Sequence, residues 1–249
     1  MWVIRLVLTA AVLILALLIG VLVHAVTWII GKFDENACLR LRSTYVRLGL
    51  GAVWMVGGGK ATVIGRENIP RDRAALLVSN HRSLFDIVLC LARVPVPLGV
   101  IAKIELEKIP LLRLQMRDIH CLFLDRKDNR QGLRVILQAI EYVKGGQSML
   151  VFPEGTRSKK EGELLPFHAG SFKIATKAKA PVVPVTIVGM GDVLDDHFPK
   201  LKRAPVVIEF GAPIETAAMG RQEIKELPDQ VREIISETYA RNRALIQKP

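Results

Sequence analysis

The sequence predicts an α/β protein: a largely parallel mixed sheet flanked by helices, preceded by hydrophobic helices that associate with a membrane. Three observations predict it. After Gly59, short β-rich runs alternate with segments of helical period, the pattern of layered α/β folds. Before Gly59 stands an uncharged apolar run long enough to span or embed in a bilayer. No internal repeat or low-complexity linker divides the 249 residues, so the part beyond Gly59 reads as one domain with a sizeable core. The expected division is 1–58 for the membrane-associated helices and 59–249 for the α/β domain.

The apolar run is LVLTAAVLILALLIGVLV, Leu6 to Val23, and beyond His24 it stays apolar through Ile30. A cleaved signal peptide is the competing reading. The run exceeds the usual ~7–15 residue core of such peptides, and no small-x-small site closes it, so it reads as a retained anchor. Lys32, Arg40, Arg42 and Arg47 follow it, whereas Arg5 and the amino terminus precede it; the positive-inside bias places the rest of the chain in the cytoplasm. A second piece, LGLGAVWMVGGG from Leu48 to Gly59, is too short to span. It reads as an interfacial or re-entrant helix with Trp54 at headgroup depth.

Candidate strands are Ala61–Ile64, Ala75–Ser79, Leu98–Ala102, Ile119–Leu124, Met149–Phe152, Val182–Val188 and Val206–Phe210. Helices are expected near Leu84–Ala92, Pro110–Met116 and Asn129–Val143. In the last, Leu133, Ile136, Leu137, Ile140 and Val143 share a face, as do Leu227, Val231, Ile234, Ile235 and Tyr239 in a C-terminal helix.

The formal net charge is +11, with a pI of about 9.8 and 50% hydrophobic residues. A basic, anchored chain without zinc-ligand spacing or an aromatic-interleaved basic motif points to anionic lipid headgroups and away from nucleic acid. Surplus charge kept for solubility is the blander account. Cys38, Cys90 and Cys121 are odd in number and far apart, so no disulfide framework is expected. GMGDVL from Gly189 lacks the third glycine of a dinucleotide fingerprint, and no phosphate-loop motif G-x-x-x-x-G-K-[ST] occurs.

The chemistry gathers at strand ends, where open α/β sheets bind ligands. NHRSLFD places His81 in the turn after a strand and Asp86 at the start of a helix, where a carboxylate can orient an imidazole. Ser83 with Asp86 also fits a helix-capping signature. A metal site is the weaker functional reading, because no third ligand lies near. FPEGTRS breaks a strand at Pro153 and Gly155 and crowds Glu154, Thr156 and Arg157 into a turn that suits an anion, with Arg157 offering a bidentate fork; a solvated Glu154–Arg157 pair is the alternative. Lys103 and Arg126 close two further strands.

Together, NHRSLFD, the AKIEL…IP block from Ala102 to Pro110, FLDR at Phe123–Arg126, FPEGTRS at Phe152–Ser158 and VPVTIVG at Val183–Gly189 resemble the glycerolipid acyltransferase family. The likeness is greatest to its bacterial 1-acylglycerol-3-phosphate acyltransferases and covers about residues 60 to 190. It implies a His/Asp general-base enzyme, with His81 the base and Asp86 its orienting carboxylate. Glu154, Gly155, Thr156 and Arg157 would form part of the acceptor site, and Lys103, Arg126 and Arg157 would hold the acceptor phosphate. Pro184 would be structural or part of the acyl pocket. The implied partners are a lysophospholipid acceptor, acyl-CoA or acyl carrier protein (acyl-ACP) as donor, and the membrane, with no metal and no cofactor. The implied location is the inner membrane, facing the cytoplasm. Another acceptor, such as a lyso-ornithine lipid, or a non-catalytic lipid-binding scaffold are the competing functions. Arg113 and His120 depart from the smaller, apolar residues usual there.

Overall fold

The computed structural model describes residues 1–246 and opens with two helices, α1 (Trp2–Gly31) and α2 (Glu35–Gly57). Asp34 caps α2 by accepting a hydrogen bond from the Ala37 amide at 2.9 Å, so the chain turns within three residues and the helices run antiparallel. The pairing can be followed along both. Arg42 Nε donates to Thr27 Oγ1 at 2.8 Å, the Tyr45 hydroxyl donates to the Ala16 carbonyl, and Gly57 lies against Thr9. A Cβ on Gly57 would come within 3.0 Å of Thr9, so glycine sets that closest approach. Among the described residues α1 is the one helix long and apolar enough to cross a membrane, and most of it is exposed.

The second apolar piece differs from its expectation. It is the C-terminal half of a 23-residue helix, and Trp54 is 1% exposed, with its ring 6.3 Å from that of Phe85. The reason is orientation: Val53, Trp54 and Gly57 are buried, Trp54 against Phe85 of α3 (Leu84–Arg93) and Gly57 against Thr9 of α1, while Leu48 and Met55 point outward.

Seven strands follow: β1 (Ala61–Ile64), β2 (Leu76–Ser79), β3 (Leu98–Lys103), β4 (Leu122–Leu124), β5 (Ser148–Val151), β6 (Val182–Val188) and β7 (Val206–Phe210). They form one sheet in the order β1-β7-β6-β2-β5-β3-β4, parallel at every pairing except β6 with β7. So β6, β2, β5, β3 and β4 all deliver their carboxyl ends to one edge. Alternate residues feed two cores: Leu77 packs with Trp54, Phe85 and Leu89 on one face, Leu76 and Val78 with Ile140, Ile174 and Val231 on the other.

The second face is covered by α5 (Asn129–Lys144), α6 (Lys173–Ala178) and α7 (Arg221–Ile246); α4 (Pro110–Asp118) lies against α1. The buried stripe of α5 is Val135, Ala139, Ile140 and Val143. Leu133 and Leu137, expected on it, are exposed, because small Ala139 seats the helix on the sheet. The short α6 was not anticipated. α7 starts ahead of Pro228, which sits inside the helix, and it buries Leu227, Val231, Ile235 and Tyr239 as expected. β4 is shorter than expected because His120 takes a left-handed φ of 56°.

Candidate active site

β2 ends at Ser79, and buried Asn80 locks the strand end to its neighbour: its amide nitrogen donates to the Ile187 carbonyl at 2.9 Å and its oxygen accepts from the Ile187 amide at 2.8 Å. His81 is thereby held at the carboxyl edge. Its Nδ1 lies 2.9 Å from Asp86 Oδ2, and the same oxygen accepts from the amides of Arg82 and Ser83, each at 2.7 Å. Capping and orientation are therefore one device. The helix-starting carboxylate also fixes the imidazole, with Nδ1–H donated and the Nε2 lone pair left free. The ring stacks on Phe152 with centroids 4.1 Å apart, which restrains its tilt. Asp86 is 1% exposed at its side chain and His81 11%, so the pair is shielded but can be reached.

The turn after β5 supports this pair from beneath. Glu154 is buried, accepting from the His81 amide at 2.7 Å through Oε1 and from the Leu165 amide at 2.9 Å through Oε2. Burial raises its pKa, and the two amides pull it back. Its carboxylate is thus committed to the backbone, a bracing part that differs from the acceptor contact expected of it. Gly155 adopts a φ of +68°, and a Cβ there would come within 3.2 Å of the His168 ring. The Ser158 amide donates to the His81 carbonyl at 2.8 Å, closing the turn on His81.

Thr156 and Arg157 are exposed at the rim. Arg157 does not pair with Glu154; it donates to Asp195 Oδ1 at 2.7 Å. Lys103, at the end of β3, pairs with Glu105 at 2.9 Å, and Arg126, just past β4, is exposed. Because β2, β5, β3 and β4 are neighbours in that order, the His81, Lys103 and Arg126 positions stand at strand ends along one edge, each strand about 4.8 Å from the next, while Arg157, on the turn after β5, reaches the other way to Asp195 in the loop after β6. His120, by contrast, precedes β4, stacks on Tyr142 and lies at the opposite edge.

Four residues of the rim were missed: Arg82, Glu161, Asp195 and Asp196. Arg82 donates to the Ser158 carbonyl at 3.2 Å and pairs with Asp196 and Glu161, while Asp195 accepts from Ser83 as well as from Arg157. Asp195 and Asp196 come from the loop after β6, more than 110 positions from Arg82, and Glu161 from the loop after β5, without a local pattern. Arg82 itself was in view, inside NHRSLFD.

A family model described as Acyltransferase matches residues 60–188, which spans β1 to β6 and holds every residue of the His81 edge. The chain belongs to that acyltransferase family. A probable 1-acyl-sn-glycerol-3-phosphate acyltransferase of Mycoplasma pneumoniae is 35% identical over 202 residues, 74% of this chain and 73% of that protein. A 1-acyl-sn-glycerol-3-phosphate acyltransferase of Saccharomyces cerevisiae is 29% identical over 223 residues, 88% of this chain and 71% of that one. The crystal structure of the 1-acyl-sn-glycerophosphate acyltransferase PlsC of Thermotoga maritima superposes with a TM-score of 0.80 at 28% identity, covering 96% of both chains. That coverage takes in the α1–α2 hairpin, so this acyltransferase shares the helices as well as the sheet.

Proposed function

We propose that this acyltransferase moves a fatty acyl group from the thioester of acyl-CoA or acyl-ACP to the free sn-2 hydroxyl of 1-acyl-sn-glycerol-3-phosphate, giving phosphatidic acid. The observation that carries the reading is His81, with Nδ1 held on Asp86 and Nε2 free at an edge lined by Arg157, Lys103 and Arg126. An alcohol must lose its proton as it attacks, and a free imidazole nitrogen is the side-chain group suited to accept it. Nε2 takes the hydroxyl proton while the oxygen bonds to the thioester carbonyl carbon. The tetrahedral intermediate then collapses, the carbon–sulfur bond breaks, and the leaving thiolate takes the proton back from the imidazolium, which Asp86 has stabilised meanwhile. The thioester supplies the activation, so the step needs no metal, cofactor or acyl-enzyme.

Arg157, Lys103 and Arg126 are assigned to the acceptor phosphate, with Gly155 and Thr156 shaping the turn that carries Arg157. The membrane seat is supported by α1, whose outer face is apolar while its inner face meets α2 at Thr9, Ala16 and Thr27 and the α/β domain at Leu6 and Gly20. A helix bound along that length favours lying in the cytoplasmic leaflet of the inner membrane over crossing it. Asp195 and Asp196 at the rim favour a second reading, a lyso-ornithine lipid whose amine they would meet.

The test is acyl transfer by the purified full chain, with labelled acyl-CoA and acyl-ACP offered against lysophosphatidate and lyso-ornithine lipid, together with complementation of a strain lacking lysophosphatidate acylation. Phosphatidate formation and rescue are expected. Product from lyso-ornithine lipid alone would move the assignment to that acceptor, and no product from either would leave a lipid-binding scaffold.

A further inference from the structure

On α2, Leu41, Leu48 and Met55 are exposed and stand seven residues apart, so they keep to one face that drifts only about 20° per repeat. Beside that stripe, between α2, the far end of α3 and β1, runs a groove of about 760 Å³ with Leu48, Trp54 and Met55 in its wall. Five cations line it: Arg47, Lys60, Arg66, Arg93 and Arg203. It contains no acidic side chain, and none of the five has an ion-pair partner among the described residues. Arg47 and Arg203 reach only backbone carbonyls, those of Pro95 at 3.2 Å and Met55 at 2.9 Å. Nε of Arg93 is buried without any hydrogen-bond partner.

Like charges gathered in one concavity repel each other, and its low-dielectric walls focus their field outward. A buried donor without a partner adds its own desolvation cost. An anion removes both penalties, and the adjoining apolar stripe selects an anion that carries hydrocarbon. We infer that the groove binds the phosphate of an anionic bilayer phospholipid that is not the substrate, its chains lying against Leu48 and Met55. The site is separate from the reaction. Asp86 and Arg93 lie seven residues apart on α3, about 10 Å along its axis, and no residue of the His81 edge lines the groove. The position of the chains rests on the membrane seat proposed above; the site does not depend on acyl transfer.

Trp54 offers the probe. In full-length protein in nonionic detergent, Trp2→Phe and Trp28→Phe leave it as the single tryptophan, and phosphatidylglycerol, phosphatidylcholine and free CoA are titrated against its fluorescence. A saturable response to phosphatidylglycerol and none to phosphatidylcholine is expected. Lys60→Gln with Arg66→Gln, both at exposed positions, should weaken it by about twenty-five-fold, since each cation near an anionic lipid is worth roughly a factor of five. His81→Ala should leave it unchanged. Equal responses to both lipids, an unaltered response in the double variant, or displacement by CoA as strong as by phosphatidylglycerol would overturn the proposal. Release of the chain from membranes by carbonate would instead defeat the seat alone.

Discussion

Asp86 Oδ2 receives three donors, the His81 ring and two backbone amides, so removing the carboxylate disturbs the turn and the imidazole together. His81→Ala should cut turnover by about 10² to 10⁴ with folding intact, read by acyl transfer beside circular dichroism; Asp86→Asn should approach the same loss. Arg157 is held by Asp195, which the acceptor phosphate proposed to bind there would have to displace. Arg157→Ala should therefore raise the acceptor KM by about tenfold or more and leave the donor KM alone, with lysine a poor substitute for the fork. Asp195→Asn should lower the acceptor KM by up to about fivefold, the worth of an exposed pair; an increase instead would make Asp195 part of the binding surface. Glu154→Gln puts an NH2 against one of two donor amides, so turnover should fall between about 10- and 100-fold through misplacement of His81, with acceptor KM steady. Burial raises the Glu154 pKa, so folding favours its protonated form. The stability this gives is complete below the ordinary carboxylate range and is lost as pH rises through the raised value. Thermal unfolding across that window should show wild type losing ground to Glu154→Gln.

Among the elements, the polar patch on α1 has the sharpest consequence. His24 Nδ1 and Arg42 both meet Asp118 of α4, at 2.7 and 3.2 Å, and Asp118 is 6% exposed at its side chain. This joins three helices through one buried carboxylate, and its removal strands Arg42. Asp118→Ala should cost about 3 kcal/mol, the lower end for a broken buried pair, and loosen α1 so that protease cuts near Lys32 in detergent. The strand ends and α3 were legible in the sequence because local turn chemistry and apolar runs set them. The face of α5 was not, since Leu133 and Leu137 are as apolar as the residues that are buried, and only the close seat of Ala139 decides. The site divides likewise. His81, Asp86 and the FPEGTRS turn are local motifs, whereas the bracing by Glu154 and the carboxylates of Asp195 and Asp196 depend on contacts between distant loops.

For the whole molecule, the expected boundary at residue 58 passes beside a shared core. Trp54 packs in the cluster that holds Leu77, Phe85 and Leu89, and Leu6 of α1 lies against it. Deleting residues 1–58 would remove that tryptophan, a loss of about 3 to 5 kcal/mol by itself, and would bare the outer face of α3. The remaining 59–249 should be recovered unfolded or aggregated, and a soluble, cooperatively melting fragment would make the helices an appendage after all. The same packing bears on the proposed membrane seat. The outer face of α1 is apolar from Val3 to Ile29, with Leu41, Leu48 and Met55 of α2 continuing it, and hydrophobic transfer of this kind does not weaken in salt. High salt or carbonate should leave the full chain in the membrane fraction, because charge accounts for only part of its attachment. Glutamate at Leu15 and Leu22, exposed positions away from the α2 and α4 contacts, should release it while thermal unfolding in detergent stays unchanged. Continued retention of that variant would place the seat elsewhere, and a cysteine at position 3 labelled from the outer face of sealed vesicles would turn the leaflet-bound helix into a crossing one.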